Sequence, residues 1–280
     1  MRRSCANKDV TKSKANKNRI GKRSVYHAVG LLFLLAATMA AQQPSSKTFL
    51  IIMAHHDDHT WWWGFSGFAS KLVEEGWTGY FVRTTNDEKD SNLKLGWGGG
   101  DQVNLKEARA AAAHIGLKDV ISLNWRNDHM DSVPLKEVRA QYILLLRKFR
   151  PDVVMTYNPW GHYDRNPDHR KVGRAIGEAL WLSGLANVNP EHAELGLKPY
   201  RVPNVYYGQR DDYGLGHTPN FSVKLTDGQL KKKGLAWWAH TNVRGKAPDP
   251  PTLPADEYGV EKMFYRGEWD FVPGLKAVLP

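Results

Sequence analysis

Apolar and polar positions fall into blocks along this chain, and the blocks predict strands and helices in turn. A wholly apolar run from Phe49 to Ala54 stops at five consecutive ionisable residues, His55, His56, Asp57, Asp58 and His59. Such a run, with β-branched members, reads as a strand at residues 48–54 covered on both faces. Residues 60–75 read as a helix, with Thr60 as N-cap and Gly76 as stop. A second strand is expected at 79–85, a polar Gly-rich loop at 86–102, and an Ala-rich helix at 103–115. A short strand at 120–123 and a helix at 134–149 precede another apolar strand, 152–157, which again gives way at once to polar residues. A helix at 167–182, strands at 204–207 and 221–225, and a helix at 227–240 complete the alternation. From residue 246 the chain is Pro-rich and then aromatic (Phe264, Tyr265, Trp269, Phe271), a tail expected to pack back on the body.

Strands alternating with helices of this size predict one α/β domain, Rossmann-like, with a mainly parallel sheet and helices on both faces. No G-x-G-x-x-G or P-loop follows a strand, so dinucleotide and nucleoside triphosphate readings fail. No G-x-S-x-G elbow is present, which argues against a serine hydrolase of this class.

Charge alters the picture only at the amino end. The chain of 280 residues carries a formal +10, but nine of its 39 Lys and Arg, against one of its 29 Asp and Glu, precede Ala41. The remainder is close to neutral, so a nucleic-acid partner is not expected. Residues 1–41 have the parts of a secretory signal with a long basic n-region: an apolar core at 28–37, too short to span a bilayer, then small residues at Ala40 and Ala41. An exported protein is expected, with a linker at 42–47, a catalytic domain at 48–245 and the tail at 246–280. The single cysteine, Cys5, precedes the apolar core, so the body has neither disulfide nor thiolate chemistry.

Two strands of the expected sheet end in ionisable clusters, and open α/β sheets place their sites outside such ends. A catalytic zinc site takes three protein ligands and keeps one position open. His55 and Asp58, three residues apart where strand turns into helix, and His169, in the first turn after Pro167, are candidate ligands. Asp57, between the first two, is the candidate general base for a water activated by the metal. Trp61, Asp128 and His129 are candidate substrate contacts; a packed tryptophan and a solvated turn are their plainer roles. Gly98–Gly100 reads as a surface loop or lid, Lys231–Lys233 as a solvated helix face, and His217 and His240 as further pocket residues.

The segment Ala54-His55-His56-Asp57-Asp58-His59 resembles the Ala-His-Pro-Asp-Asp-Glu signature of the LmbE-like/PIG-L N-deacetylases. Asn166-Pro167-Asp168-His169 resembles that family's later His-Pro-Asp-His. The Ala-rich helix with Glu107, ending at Gly116, and the Lys-rich helix ending at His240 are similar to two further family elements in the same order. The resemblance runs from Phe49 to His240 and implies a zinc enzyme that removes acetyl groups from N-acetylglucosamine-type sugars. It implies His55, Asp58 and His169 as metal ligands and Asp57 as base, the four residues reached above. The chain departs from the pattern at His56 (for Pro), His59 (for Glu), Asn166 (for His) and Asn104 (for Arg). Asn166 can donate a hydrogen bond to an oxyanion but carries no proton to transfer, so His162 and Tyr163 are candidate replacements. The expectation is an exported hydrolase with one zinc or iron ion, acting on a small molecule or glycan that bears an N-acetyl group. A zinc amidase for larger amides and a non-catalytic carbohydrate binder are the alternatives. No stable transmembrane span is expected, and oligomeric state is open.

Overall fold

The apolar run becomes β1 (Thr48–Met53), hydrogen-bonded on both sides, with Phe49 through Ala54 wholly buried. The computed structural model describes residues 47–61, 63–89, 99–159, 164–208 and 218–267. The leader through residue 46, Trp62, Gly98, His162, Tyr163, His217, Trp269 and Phe271 lie outside them. Around β1, the strands β2 (Thr78–Thr85), β3 (Asp119–Trp125), β4 (Val153–Tyr157) and β5 (Asn204–Gly208) run parallel in the order β3-β2-β1-β4-β5. Two antiparallel strands extend the sheet beyond β5: β7 (Val260–Gly267), then β6 (Phe221–Lys224) at the edge.

The helices are α1 (Ser66–Glu74), α2 (Gly99–Ile115), α3 (Leu135–Phe149), α4 (Pro167–Leu182), α5 (Asp227–Trp238), α6 (Thr241–Arg244) and α7 (Ala255–Tyr258). Helices α1, α2 and α5 pack together, and α3 packs on α4, giving a helical layer for each face. A strand covered on both faces has no polar side, which is why β1 reads as an unbroken apolar run. Each such side chain taken from water contributes roughly 1.5–3 kcal/mol. Strand order reverses between β1 and β4, the point at which open α/β sheets place a ligand crevice at the carboxyl ends. His55, Asp58 and His169 stand at that edge of the sheet.

The expected fold is present, with four local corrections. The first helix begins at Ser66, not after Thr60, because residues 58–60 form a 3-10 turn in which Thr60 Oγ1 donates to the Asp57 carbonyl at 2.7 Å. The chain then doubles back: Phe65 N donates to the His59 carbonyl at 3.0 Å. A Cβ at Gly64 would strike that carbonyl, so the turn requires glycine. The second helix starts at Gly99, within the stretch expected to be loop. Of the aromatic tail, Phe264 and Tyr265 lie in β7, a full strand between β5 and β6 rather than an irregular cover. Lys233 is not on a solvated face: it is buried, with Nζ 2.7 Å from Glu261 Oε1 on β7. Glu261 also accepts from Gly67 N (2.9 Å) and Phe68 N (2.7 Å), so a tail carboxylate satisfies donors at the start of α1, where the helix dipole favours negative charge.

Candidate metal centre

His55 leaves the end of β1, Asp58 opens the following turn, and His169 lies in the first turn of α4, after the end of β4. All three are buried, and one donor atom from each faces the others. His55 Nδ1 is 3.1 Å from His169 Nε2 and 3.3 Å from Asp58 Oδ2, and His169 Nε2 is 3.2 Å from Asp58 Oδ1. A tetrahedral cation with bonds of about 2.0–2.2 Å sets its ligand atoms about 3.3–3.5 Å apart. The triangle fits.

Carboxylates behind the imidazoles fix which nitrogen faces inward. His55 Nε2 is 3.2 Å from Asp168 Oδ2, and His169 Nδ1 is 3.0 Å from Asp164 Oδ2. With each outer N–H donated to a carboxylate, the inner nitrogens of two neutral rings would be acceptors facing each other at 3.1 Å. Two lone pairs at that distance repel unless a proton or cation lies between them. Burial opposes protonation of both rings, yet Asp58 and the outer carboxylates outweigh it and raise both histidines, His55 well above its ordinary value. Burial likewise opposes ionisation of Asp58, but His169 and His55 win and hold it well below the usual carboxylate range. This negative pocket calls for positive charge.

Asp168 is itself built for the task. Its carboxylate accepts from Asn127 Nδ2 (3.2 Å), Asp128 N (2.6 Å) and Met130 N (3.1 Å), besides meeting His55. Tyr157, the last residue of β4, donates its hydroxyl to Asp58 Oδ2 and stacks on His169 with ring centroids 4.6 Å apart. Burial first, then Asp58, pushes the Tyr157 phenol well above its ordinary value, so it remains a donor.

Asp57 is buried beside the triangle, its Oδ2 3.1 Å from Trp61 Nε1 and 3.2 Å from Arg244 Nη2. Arg244, from α6, lies over Trp61 and Trp237 at 4.7 and 4.4 Å from their ring centroids. The structure thus brings together His55, Asp57, Asp58, Trp61 and His169. Trp61 is engaged from two sides, through its N–H on Asp57 and through Arg244 on its ring. Asn166 is the N-cap of α4, its Oδ1 accepting from Asp168 N at 2.9 Å, which leaves the amide nitrogen as its donor end. Asp128 reaches the site through its backbone N–H alone; its exposed carboxylate is 3.3 Å from Lys89 Nζ. His129, half-buried, caps the turn at 130–132.

Sequence reasoning missed Asp164, Asp168, Tyr157 and Arg244. The first two lay in view inside the second ionisable cluster; nothing local to Arg244 signals its role. It also missed a second buried group, His56, Glu107 and His240, whose donor atoms lie within 4.8 Å of one another. Here burial, then His56 and His59, holds His240 well below its ordinary value, and burial takes the neighbouring His59 down to about 3.

Fold and site define a Rossmann-like α/β domain with a His-Asp-His centre at the carboxyl edge of its parallel strands. Residues 50–180 match the family model PIG-L, GlcNAc-PI de-N-acetylase, and this chain carries a PIG-L family domain. Over 125 residues it is 31% identical to a diacetylchitobiose deacetylase of Thermococcus kodakarensis, covering 44% of this chain and 43% of that protein. Over 119 residues it is 29% identical to a 1D-myo-inositol 2-acetamido-2-deoxy-alpha-D-glucopyranoside deacetylase of Thermobispora bispora, covering 37% of each. The matched stretches therefore span less than half the length of these two relatives. The fold is shared with an N,N'-diacetylchitobiose deacetylase from Pyrococcus horikoshii, at a TM-score of 0.66 and 23% identity over 91% of this chain and 97% of that one. It is also shared with a 4-carboxy-2-hydroxymuconate hydratase from Pseudomonas putida, at a TM-score of 0.56 and 19% identity over 69% and 78%. One fold thus serves two chemistries, and activity must be argued from the site.

Proposed function

We propose that this protein is a metal-dependent hydrolase that removes the acetyl group from an N-acetylated amino sugar or glycoconjugate. The observation that carries the reading is the pair of inward-facing imidazole nitrogens closed by Asp58, with Asp57 next in the chain. Two nitrogens and a carboxylate suit zinc, and iron is compatible with the same donors. Held by His55, Asp58 and His169, the ion would supply a Lewis acid that acidifies water and polarises the acetamide carbonyl.

The chain's own residues supply the rest. Asp57 Oδ1 has no hydrogen-bond donor among the described residues, so it is the oxygen that takes a proton from the attacking water. Trp61 and Arg244 fix the other oxygen, keeping the carboxylate aligned. The Asn166 amide is placed at the head of α4 to donate to the developing oxyanion. Protonated Asp57 then returns the proton to the leaving amine. Tyr157, Asp164 and Asp168 position the ligands and touch no reacting atom.

The names of the curated relatives support an N-acetyl sugar as substrate. Residues 1–41 support export, which cell fractionation tests. For the activity, acetate release is measured across N-acetylated sugars with zinc-loaded protein. Turnover should fall about 10²–10⁴-fold in Asp57→Asn with metal content intact. Amine release from bulkier amides without acetate release would establish the amidase alternative. No turnover on any amide, with sugar binding intact in Asp57→Asn, would establish a non-catalytic binder.

A further inference from the structure

We propose that the chain holds a second divalent transition-metal ion, structural in role, on His56, Glu107 and His240. The three come from separate elements: the turn after β1, the middle of α2, and the junction of α5 and α6. Their donor atoms lie within 4.8 Å of one another, and both histidines are wholly buried. The rings of His56 and His240 meet edge to face with centroids 5.0 Å apart.

Unmet bonding capacity points to an ion. Neither ring nitrogen of His240 has a hydrogen-bond partner. A neutral imidazole carries one donor and one acceptor, and burying both unmet is costly. His59 adds to this. Ser66 Oγ donates to the His59 carbonyl at 2.6 Å, so it accepts from His59 Nδ1 at 3.1 Å. That leaves His59 Nε2 a bare lone pair, with no partner and its ring centroid 6.1 Å from that of His240.

Glu107 brings a negative charge. Its oxygens accept from Thr241 Oγ1 and from Asn242 N, at 2.9 and 3.1 Å, and no cationic side chain among the described residues pairs with it. A buried carboxylate bound only by neutral donors, beside the unmet ring nitrogens of His240 and His59, is the environment a cation completes. Behind His56 stands Asp87, with Oδ2 3.4 Å from Nδ1, and Asp87 is held in turn by Arg83 at 3.2 Å. This repeats the carboxylate–imidazole arrangement of the first centre and leaves Nε2 of His56 as the ligand atom.

Two imidazoles and one carboxylate select zinc, iron or cobalt over magnesium or calcium, which take oxygen donors. Two departures from the family pattern, His56 and Asn104, meet here: Asn104 accepts from Asn242 Nδ2 at 2.6 Å, beside the backbone that binds Glu107. An ion at this place would tie the turn bearing Asp57 to α2 and to the segment that carries Arg244.

The test is metal stoichiometry on the full chain, loaded with zinc, freed of excess by gel filtration and analysed by mass spectrometry. Wild type should hold two ions, Asp58→Ala one, and Asp58→Ala with His240→Gln none. Cobalt-loaded Asp58→Ala should retain a visible absorption that belongs to the second site alone, and Glu107→Gln should remove it. Folding of each variant is followed by circular dichroism, and the wild-type count needs no variant. One ion per wild-type chain, lost with Asp58→Ala and unaffected by His240→Gln, would overturn the inference. One ion lost with His240→Gln but kept by Asp58→Ala would uphold it and remove the first centre instead.

Discussion

His55 and His56 are chain neighbours that enter different buried clusters, and the two clusters treat a histidine proton differently. His55 meets Asp58 and Asp168, and those carboxylates raise it despite burial. His240, the partner of His56, meets two other histidines and Arg244, and burial with those neighbours lowers it. In both clusters the imidazole and carboxylate donor atoms lie within 4.8 Å of one another. Only the first adjoins a carboxylate oxygen, Asp57 Oδ1, that has no donor among the described residues and can take a proton. On the proposed reading, the adjacent base separates the centre that does chemistry from the one that only holds an ion.

The harshest way to break this contrast is Asp58→Ala. It removes a ligand and leaves two facing lone pairs without the charge that held them. Acetate release should fall at least about 10³-fold, because Lewis-acid stabilisation is worth several kcal/mol. Zinc added to millimolar levels should not restore it. A variant that keeps activity within tenfold would show that the triangle is not where the reaction occurs.

Asp168→Asn is milder and sharpens the comparison, since it leaves every direct ligand in place. The amide can still meet His55 but no longer enforces its tautomer, so His55 Nδ1 presents a lone pair less often. Zinc affinity, measured by competition with a chelator, should fall about 10–100-fold. Turnover at saturating zinc should change less than affinity does, as a positioning role requires. Equal losses in both would mean that Asp168 touches the reaction itself.

The same contrast explains how much of the molecule the sequence shows. The parallel sheet, the two ionisable edges and the candidate ligands His55, Asp58 and His169 are legible because each depends on a local pattern: an apolar run that ends, or a spacing of three. Helix α4 is matched from Pro167 to Leu182, since proline at its first position and the Asn166 cap fix the start. What is illegible is made by distant pairing. The 3-10 turn after β1 depends on a carbonyl that Gly64 must approach, and β7 finds its place between β5 and β6 only once the sheet exists. Lys233 looks solvated in a run of three lysines because Glu261, its partner, is 28 residues away. The second histidine cluster joins residues from the amino-terminal strand and the α5–α6 junction, and no window along the chain contains both.

The smallest effect is expected at Trp61, and it decides between two roles for that side chain. As a sugar-stacking platform, Trp61 would contribute to substrate binding and its loss would raise KM. As a donor to Asp57 Oδ2, 3.1 Å away, it contributes to alignment of the base and its loss should lower kcat. Trp61→Phe keeps an aromatic ring beneath the Arg244 guanidinium and removes only the indole N–H. A neutral hydrogen bond contributes about 1 kcal/mol net, so kcat should fall roughly five-fold with KM and metal content unchanged. Arg244 still holds the same oxygen at 3.2 Å, which is why the loss stays small. A rise in KM at constant kcat would return Trp61 to the substrate and leave Arg244 as the one side chain orienting the base.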